Sequence, residues 1–262
     1  MDLHTILDKF ASGSLSLSEA EKQISVHAIE KIGDIAKLDV GRAIRRGGMP
    51  EIVFAEGKEY KDIIRITLAI VRHNGQAVIS RIKKNELSKV ADTLRKKGLT
   101  VETGMNCTTL LASRRSFAYK MTGAKIGIMS AGTSDIGIAE EARIVAKAMG
   151  CEAIVGYDVG IAGMHRLFLA LKGMIEQNIG AIVVVAGMEG ALASVVASIV
   201  DIPVVGVPTS IGYGFGEKGI GALASMLQSC TLGLAVVNID NGIGAGVYAA
   251  LIAKRITKSE KL

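Results

Sequence analysis

Tryptophan is absent from this 262-residue chain, aromatic residues make up 4% of it, and only three prolines occur, Pro50, Pro203 and Pro208. With so few rings and breakers, a Pro-rich linker is excluded. The core must be built from Ala, Val, Ile, Leu and Gly, a composition suited to strands packed under helices. Cysteine is scarce as well. Cys107, Cys151 and Cys230 cannot all pair and no CxxC occurs, which argues against a disulfide framework or a zinc knuckle. No apolar run reaches membrane-spanning length without a glycine or a charge, and 179–200 reads as strand, turn and helix around Glu189. The start of the chain lacks the basic-then-apolar order of a signal peptide, so a cytoplasmic protein is expected. The turn "SAGTSDIG" over 130–137 is neither a GxGxxG fingerprint nor a P-loop, so ordinary dinucleotide or ATP binding is not supported there. The net charge of +6 is scattered rather than gathered into one block. That distribution favours an anionic small molecule over nucleic acid, and no nucleic-acid or membrane partner is expected.

What is present is a change of rhythm along the chain. The first 40 residues read as helices, with Ser16 and Glu19 spaced as a capping box. Strand-like 51–55, a helix to His73, "AVISRI", a helix through "NELSKVADTLRKKG" and "TVETG" then make a βαβαβ unit, followed by a less regular connection over 106–122. From Lys125 five near-continuous apolar strands alternate with helices, the pattern of a parallel sheet buried on both faces. Right-handed crossovers make such a unit a doubly wound three-layer α/β domain. The expected organisation is an N-terminal helical and βαβαβ domain over 1–122 and a five-stranded doubly wound domain over 123–262. Its strand-end loops, "SAGTSD", "GYDVGIAG", "AGMEGA", "VPTSIGYGFG" and "NIDNGIGAG", should share one edge as a binding crevice.

Several residues on these loops carry chemistry. Thr133, Ser134 and Asp135 stand at a helix N-terminus, where free N–H groups and hydroxyls suit a phosphate or ribose; plain capping by Ser134 or Asp135 is the alternative. Glu189 is a carboxylate in an apolar Gly/Met turn, and burial there would suit it to proton transfer. Its alternative duty is to stabilise the following helix N-terminus. Asp158 precedes His165 and Arg166 across a Gly-rich turn, so an Asp–His pair or a metal contact is one reading and a structural histidine the other. Asp240 and Asn241 offer either substrate contacts or an Asx cap. Cys230 lies between an apolar helix and the strand "LAVVNI", at an element end of the kind where ligands collect; free cysteines are also common as small core residues.

Taken together these segments are recognisable. "GTSD", "AGMEGALASVVAS" and "PVVGVPTS" resemble PurE, the aminoimidazole ribotide carboxylase family of octamers with a flavodoxin-like three-layer fold. An N-terminal extension of about 120 residues and Cys230 depart from PurE. The wider set "GMPEIVFAEGK", "YDVGIAGMHRLF" and "MLQSC…GLAVVNIDNG…GAG" resembles the LarB family over roughly 39–255. "FGEKG" and "NGI" are small departures from that family's pattern.

The LarB resemblance implies a pyridinium-3,5-biscarboxylic acid mononucleotide synthase of nickel-pincer nucleotide cofactor biosynthesis. Such an enzyme carboxylates nicotinic acid adenine dinucleotide (NaAD) with CO2 as co-substrate and cleaves its phosphoanhydride, releasing AMP. It implies Cys230 as nucleophile and Glu189 as proton acceptor, with Thr133, Ser134, Asp135, Asp158, His165, Arg166, Asp240 and Asn241 around the substrate. Arg42, Arg45 and Arg46 would reach the phosphates from the N-terminal domain. NAD would act as a substrate analogue, and the assembly would be a homo-oligomer, an octamer as in PurE. Anhydride cleavage commonly calls for a divalent cation such as Mg2+, with Asp158 and His165 as candidate ligands; no organic cofactor is expected. Two other functions fit less of the sequence. A PurE-type carboxylase or mutase of purine biosynthesis uses histidine where this chain offers a thiol, and a nucleotide-binding sensor without catalysis has no need of Cys230.

Overall fold

The computed structural model describes residues 3–25, 29–32, 36–39 and 49–259. The chain divides into two units, Met1–Glu102 with Leu110–Phe117, and Thr103–Thr109 with Ala118–Leu262. The second therefore begins at 118 and also takes in 103–109, against the 122/123 boundary expected from the sequence.

In the first unit, helices α1 (Leu3–Ala11) and α2 (Leu17–Ile24) come first. Ser16 caps α2: its hydroxyl accepts from Glu19 N–H while the Glu19 carboxylate accepts from Ser16 N–H. The expectation of helices throughout the first 40 residues fails after that. Strands β1 (Ile29–Ile32) and β2 (Ala36–Asp39) pair antiparallel. Strand β3 (Ile52–Phe54), helix α3 (Tyr60–Asn74), β4 (Gln76–Ser80), helix α4 (Leu87–Lys96), β5 (Leu99–Thr103) and β6 (Leu110–Arg114) complete the unit. The sheet runs β3-β4-β6-β5, with β3 and β4 parallel and β6 antiparallel to β4. The expected βαβαβ unit is corrected by β6, a strand inside the sheet where an irregular connection was expected. The apolar residues Leu110, Leu111 and Ala112 are all buried, Leu110 and Ala112 in one cluster with Ile63, Ile70, Ile79 and Leu94, which makes an interior strand the favourable state for that stretch.

The second unit alternates strictly. Strands β7 (Lys125–Ser130), β8 (Glu152–Gly156), β9 (Ile182–Ala186), β10 (Val204–Pro208) and β11 (Leu234–Val236) are separated by α5 (Ile136–Ala148), α6 (Met164–Ile175), α7 (Ala191–Ile199) and α8 (Ile220–Leu227), and α9 (Gly242–Ser259) closes the chain. The sheet order is β11-β10-β9-β7-β8, all parallel, as the apolar strand runs predicted. Successive side chains of a strand face opposite ways. Ile182, Val184 and Ala186 of β9 pack with Leu167, Leu171, Leu192, Val196 and Met226 of α6, α7 and α8. Helices α5 and α9 pack on each other and on β7 and β9. Their crossing is close because Gly242 and Gly246 leave room: a Cβ on Gly246 would lie 2.7 Å from Ala142 Cα and carbonyl O. The order of strands reverses at β7, with β8 on one side and β9 on the other. A crevice therefore opens beyond the strand C-termini there.

Candidate functional site

At that reversal a cavity of about 400 Å³ is lined by the turns after β7, β8 and β9 and by Ile211 after β10. Four of the five expected loops thus meet, and Thr133, Ser134, Asp135, Asp158 and Glu189 all line it.

Each side chain is set by its turn. Asp135 is buried at the entry of α5 but does not cap that helix. Its Oδ2 accepts from Gly132 N–H at 2.9 Å and its Oδ1 from the Thr209 hydroxyl at 2.6 Å, tying the β7 turn to the end of β10. Burial raises its carboxyl above the usual range, while Thr209 and Gly132 hold it down in part. Thr133 and Ser134 are exposed in the short turn before α5. Asn241 takes the capping alternative: its Oδ1 accepts from Gly244 N–H at 2.9 Å in the first turn of α9. Asp240 accepts from Ser210 N–H at 2.8 Å, so the β10 and β11 loops are joined.

Glu189 is exposed at the cavity, not buried as expected from its apolar neighbours. The turn that presents it is demanding. Met188 has φ of 54° and Gly190 of 68°, on either side of the glutamate. A bulky residue in the left-handed region persists only where the surroundings enforce it. Here Met188 N–H donates to Ile211 O at 2.8 Å and Gly190 N–H to Gly187 O at 2.9 Å. Gly187 cannot carry a side chain, since a Cβ would come within 2.4 Å of Ile211 O. The fold holds a strained turn whose product is one displayed carboxylate.

Asp158, also left-handed at φ 57°, pairs with Arg166 Nη1 and not with His165, which is exposed in the first turn of α6. The Asp–His pair is therefore corrected to an Asp–Arg pair. Asp158 faces Arg166 and His165 is outside that pair, so the structure does not bring Asp158 and His165 together as two ligands of one metal. Among the described residues no three His, Cys, Asp or Glu side chains converge as a metal-binding group. Arg42, Arg45 and Arg46 lie outside the described residues.

Of the three cysteines, Cys107 and Cys151 are buried and Cys230 is exposed. Burial first, and then Glu141, pushes the Cys107 thiol up to about 12, and burial raises Cys151 as well. Neither suits nucleophilic work. Cys230 does not line the cavity. It belongs to the connection from α8 to β11, which enters the sheet at the start of β10: Val204 N–H donates to Gly233 O. The expectation that it shares the loop edge with the carboxylates is not met within one chain.

A polar knot that the sequence reading missed is built on α5. Glu140, buried on α5, accepts from Arg143 Nε (2.8 Å) and Nη2 (2.9 Å), from Met105 N–H (3.1 Å) and from the Tyr157 hydroxyl. Glu141 accepts from the Thr109 hydroxyl at 3.2 Å. Two consecutive glutamates amid "IGIAEEARIVAKA", flanked by Ala139 and Ala142 on the buried face, were the available signal.

The five-stranded all-parallel sheet with helices on both faces gives the second unit a PurE-like α/β fold. Residues 125–261 match the AIR carboxylase family and residues 29–110 the LarB/PurE-like N-terminal domain. The chain belongs to the LarB family, with a PurE-like C-terminal domain. The uncharacterised protein MJ0165 of Methanocaldococcus jannaschii is 49% identical over 260 residues, covering 98% of this chain and 99% of that protein. The N5-carboxyaminoimidazole ribonucleotide mutase of Thermotoga maritima is 30% identical over 133 residues, 49% of this chain and 74% of that enzyme.

Proposed function

We propose that this chain carboxylates the pyridinium ring of NaAD and cleaves its phosphoanhydride, giving pyridinium-3,5-biscarboxylic acid mononucleotide and AMP. The observation that carries the reading is the carboxylate of Glu189 displayed at the cavity of a PurE-like domain whose one exposed thiol is Cys230, elsewhere on the same domain. A pyridinium ring is too electron-poor to attack CO2. Addition of the Cys230 thiolate para to the ring nitrogen gives a neutral dihydropyridine whose enamine carbon is nucleophilic. That carbon bonds to CO2, Glu189 takes its hydrogen as a proton, and expulsion of the thiolate restores the aromatic cation. Covalent catalysis of this kind divides one inaccessible step into accessible ones. Three carboxylates, Asp135, Asp158 and Glu189, line the cavity, a setting that suits a cationic ring.

Because Cys230 does not line the cavity of its own chain, the reading places the thiol of a second copy there. Tyr213 and Phe215 in the loop before α8, Ile220 and Leu227 on it, and Leu232 after it are all exposed, an apolar surface suited to a homo-oligomer such as the octamer of PurE. A specific observation favours one other reading, the 30% identity to the Thermotoga ribonucleotide mutase, under which an aminoimidazole ribonucleotide would be the substrate. Incubation with NaAD and labelled bicarbonate, followed by mass spectrometry, tests the choice. Label in a dicarboxylated pyridinium mononucleotide is expected. Cys230→Ser should abolish it together with the near-ultraviolet absorbance of the adduct formed with NAD, whereas Cys107→Ser and Cys151→Ser should preserve both. Full carboxylation by Cys230→Ser would end the covalent reading.

A further inference from the structure

The cavity offers charge to a cationic ring but no flat surface to pack against it. Asp135, Asp158 and Glu189 line it, and among the described residues no aromatic side chain does. A carboxylate attracts the charge of a pyridinium, whereas covering its face calls for another ring. The chain holds only five tyrosines and five phenylalanines. One of these follows the lining directly: Ile211, on the loop after β10, lines the cavity, and Tyr213 stands two residues further on.

The root of this loop is fixed to the turn that carries Glu189, since Met188 N–H donates to Ile211 O at 2.8 Å. Gly212 runs along the same turn: a Cβ there would lie 3.7 Å from Met188 N and 4.0 Å from Met188 Sδ. Tyr213 is extended, with φ of −146° and ψ of 171°. Side chains two apart on extended backbone share a side, so Tyr213 stands on the side of Ile211. Gly214, at φ 74°, ends the extended run before Phe215. The Tyr213 ring is 81% exposed, and among the described residues its hydroxyl has no hydrogen-bond partner. Nothing in the fold holds the ring where it stands. Space to move is also present, because a Cβ on Gly214 would meet nothing within 4 Å.

We propose that Tyr213 closes over the heterocycle of the bound nucleotide and recognises its positive charge, its aromatic face meeting the pyridinium while the cavity carboxylates balance the charge. A cation within roughly 6 Å of a ring centroid is attracted to the ring face, more strongly once water is excluded. The closed ring also shields the cavity from solvent on the side of the Glu189 turn. Tyr213 is then a specificity residue that selects a charged ring over a neutral one. The proposal rests on the pyridine reading, since an aminoimidazole carries no fixed charge of this kind.

Calorimetric titration of the full-length Cys230→Ser protein, which lacks the thiol that adds to the ring, reads the effect. The probes are nicotinamide mononucleotide, whose ring is cationic, and its reduced form, whose ring is neutral. In that background Tyr213→Leu should weaken the oxidised nucleotide about 5- to 30-fold and the reduced one less than about twofold. Tyr213→Phe should keep the preference for the oxidised form, because it keeps the aromatic face. The proposal is overturned if Tyr213→Leu, folded by circular dichroism, binds the oxidised nucleotide as tightly as its parent. That result would leave the pyridine reading in place. Equal losses for the two forms overturn the proposal too, and a smaller mass by light scattering would then give Tyr213 to the contact with a second copy. Binding of aminoimidazole ribonucleotide with neither pyridine nucleotide would remove the pyridine reading and the proposal together.

Discussion

If the thiol and the carboxylate come from different copies, two dead variants should rescue each other. The basis is the path of the chain. Glu189 stands beyond the C-terminal end of β9, whereas Cys230 precedes a strand that enters the sheet beside Val204, the first residue of β10. The five residues of β10 put that entry point roughly 16 Å from the opposite edge of the sheet. The perturbation is co-expression of Cys230→Ser with Glu189→Gln in equal amounts, each inactive alone. A working site then needs a cavity from the cysteine variant, where Glu189 survives, and a thiol from the glutamate variant. Random assembly meets each condition half the time, so about a quarter of the sites should be intact. A site built within one chain restores none, because every chain carries one lesion. Incorporation of labelled bicarbonate, normalised to wild type, reads the fraction. Purified hybrids that contain both variants and fix no label would refute the two-copy site.

Two further outcomes follow from the packing. Glu140 is buried but held below its ordinary value: burial opposes its charge, and Arg143, Tyr157 and Met105 N–H outweigh it. A lowered carboxylate stabilises above its unfolded value of 4.5 and loses that contribution as pH falls through the folded value. Glu140→Gln should therefore cost about 3 kcal/mol near neutrality, because the Arg143 guanidinium loses the buried carboxylate it donates to, and the gap from wild type should narrow below pH 4.5. Urea unfolding across pH measures this, and a constant gap would contradict it. Gly246→Ala forces a methyl against the Ala142 backbone and should cost about 1–3 kcal/mol, read as a lower Tm. An unchanged Tm would mean that α5 and α9 are not in close contact.

The second unit was legible because parallel strands buried on both faces leave continuous apolar runs, "IVVVA" and "VVGVP" among them, that no surface element imitates. In the first unit the signals were weaker. "IEKI" and "AKLD" are short and half charged, so they carry too little apolar pattern to be told from the helices before them. "LLASR" is apolar but runs into Arg114 and Arg115, and the charges masked an interior strand. At the site, spacing showed which residues sit on the cavity loops but not where side chains turn. The left-handed backbone at Asp158 points its carboxylate to Arg166, a preference no count of residues between Asp158 and His165 could reveal. Cys230 was misplaced for a more general reason. Ligands collect where strands lead into helices, and Cys230 lies where a helix leads into a strand.

That distinction bears on how one scaffold could serve two chemistries. The cavity carboxylates of this chain lie in the strand-to-helix turns: Asp135 knotted to Thr209, Glu189 on its strained turn, and Asp158 beside Arg166. They define a small, negatively lined pocket whose geometry is fixed by backbone close approaches at Gly187, Gly160 and Gly190 and so resists change. The helix-to-strand connection of Cys230 is under no such constraint. Gly233 has open space around it and Leu232 is almost fully exposed, so residues can change there without disturbing the pocket. Under the proposed reading the reactive thiol sits where substitution costs the fold least. It would meet the old carboxylate pocket only through a neighbouring copy, so assembly, and not the single chain, would be the unit on which catalysis depends.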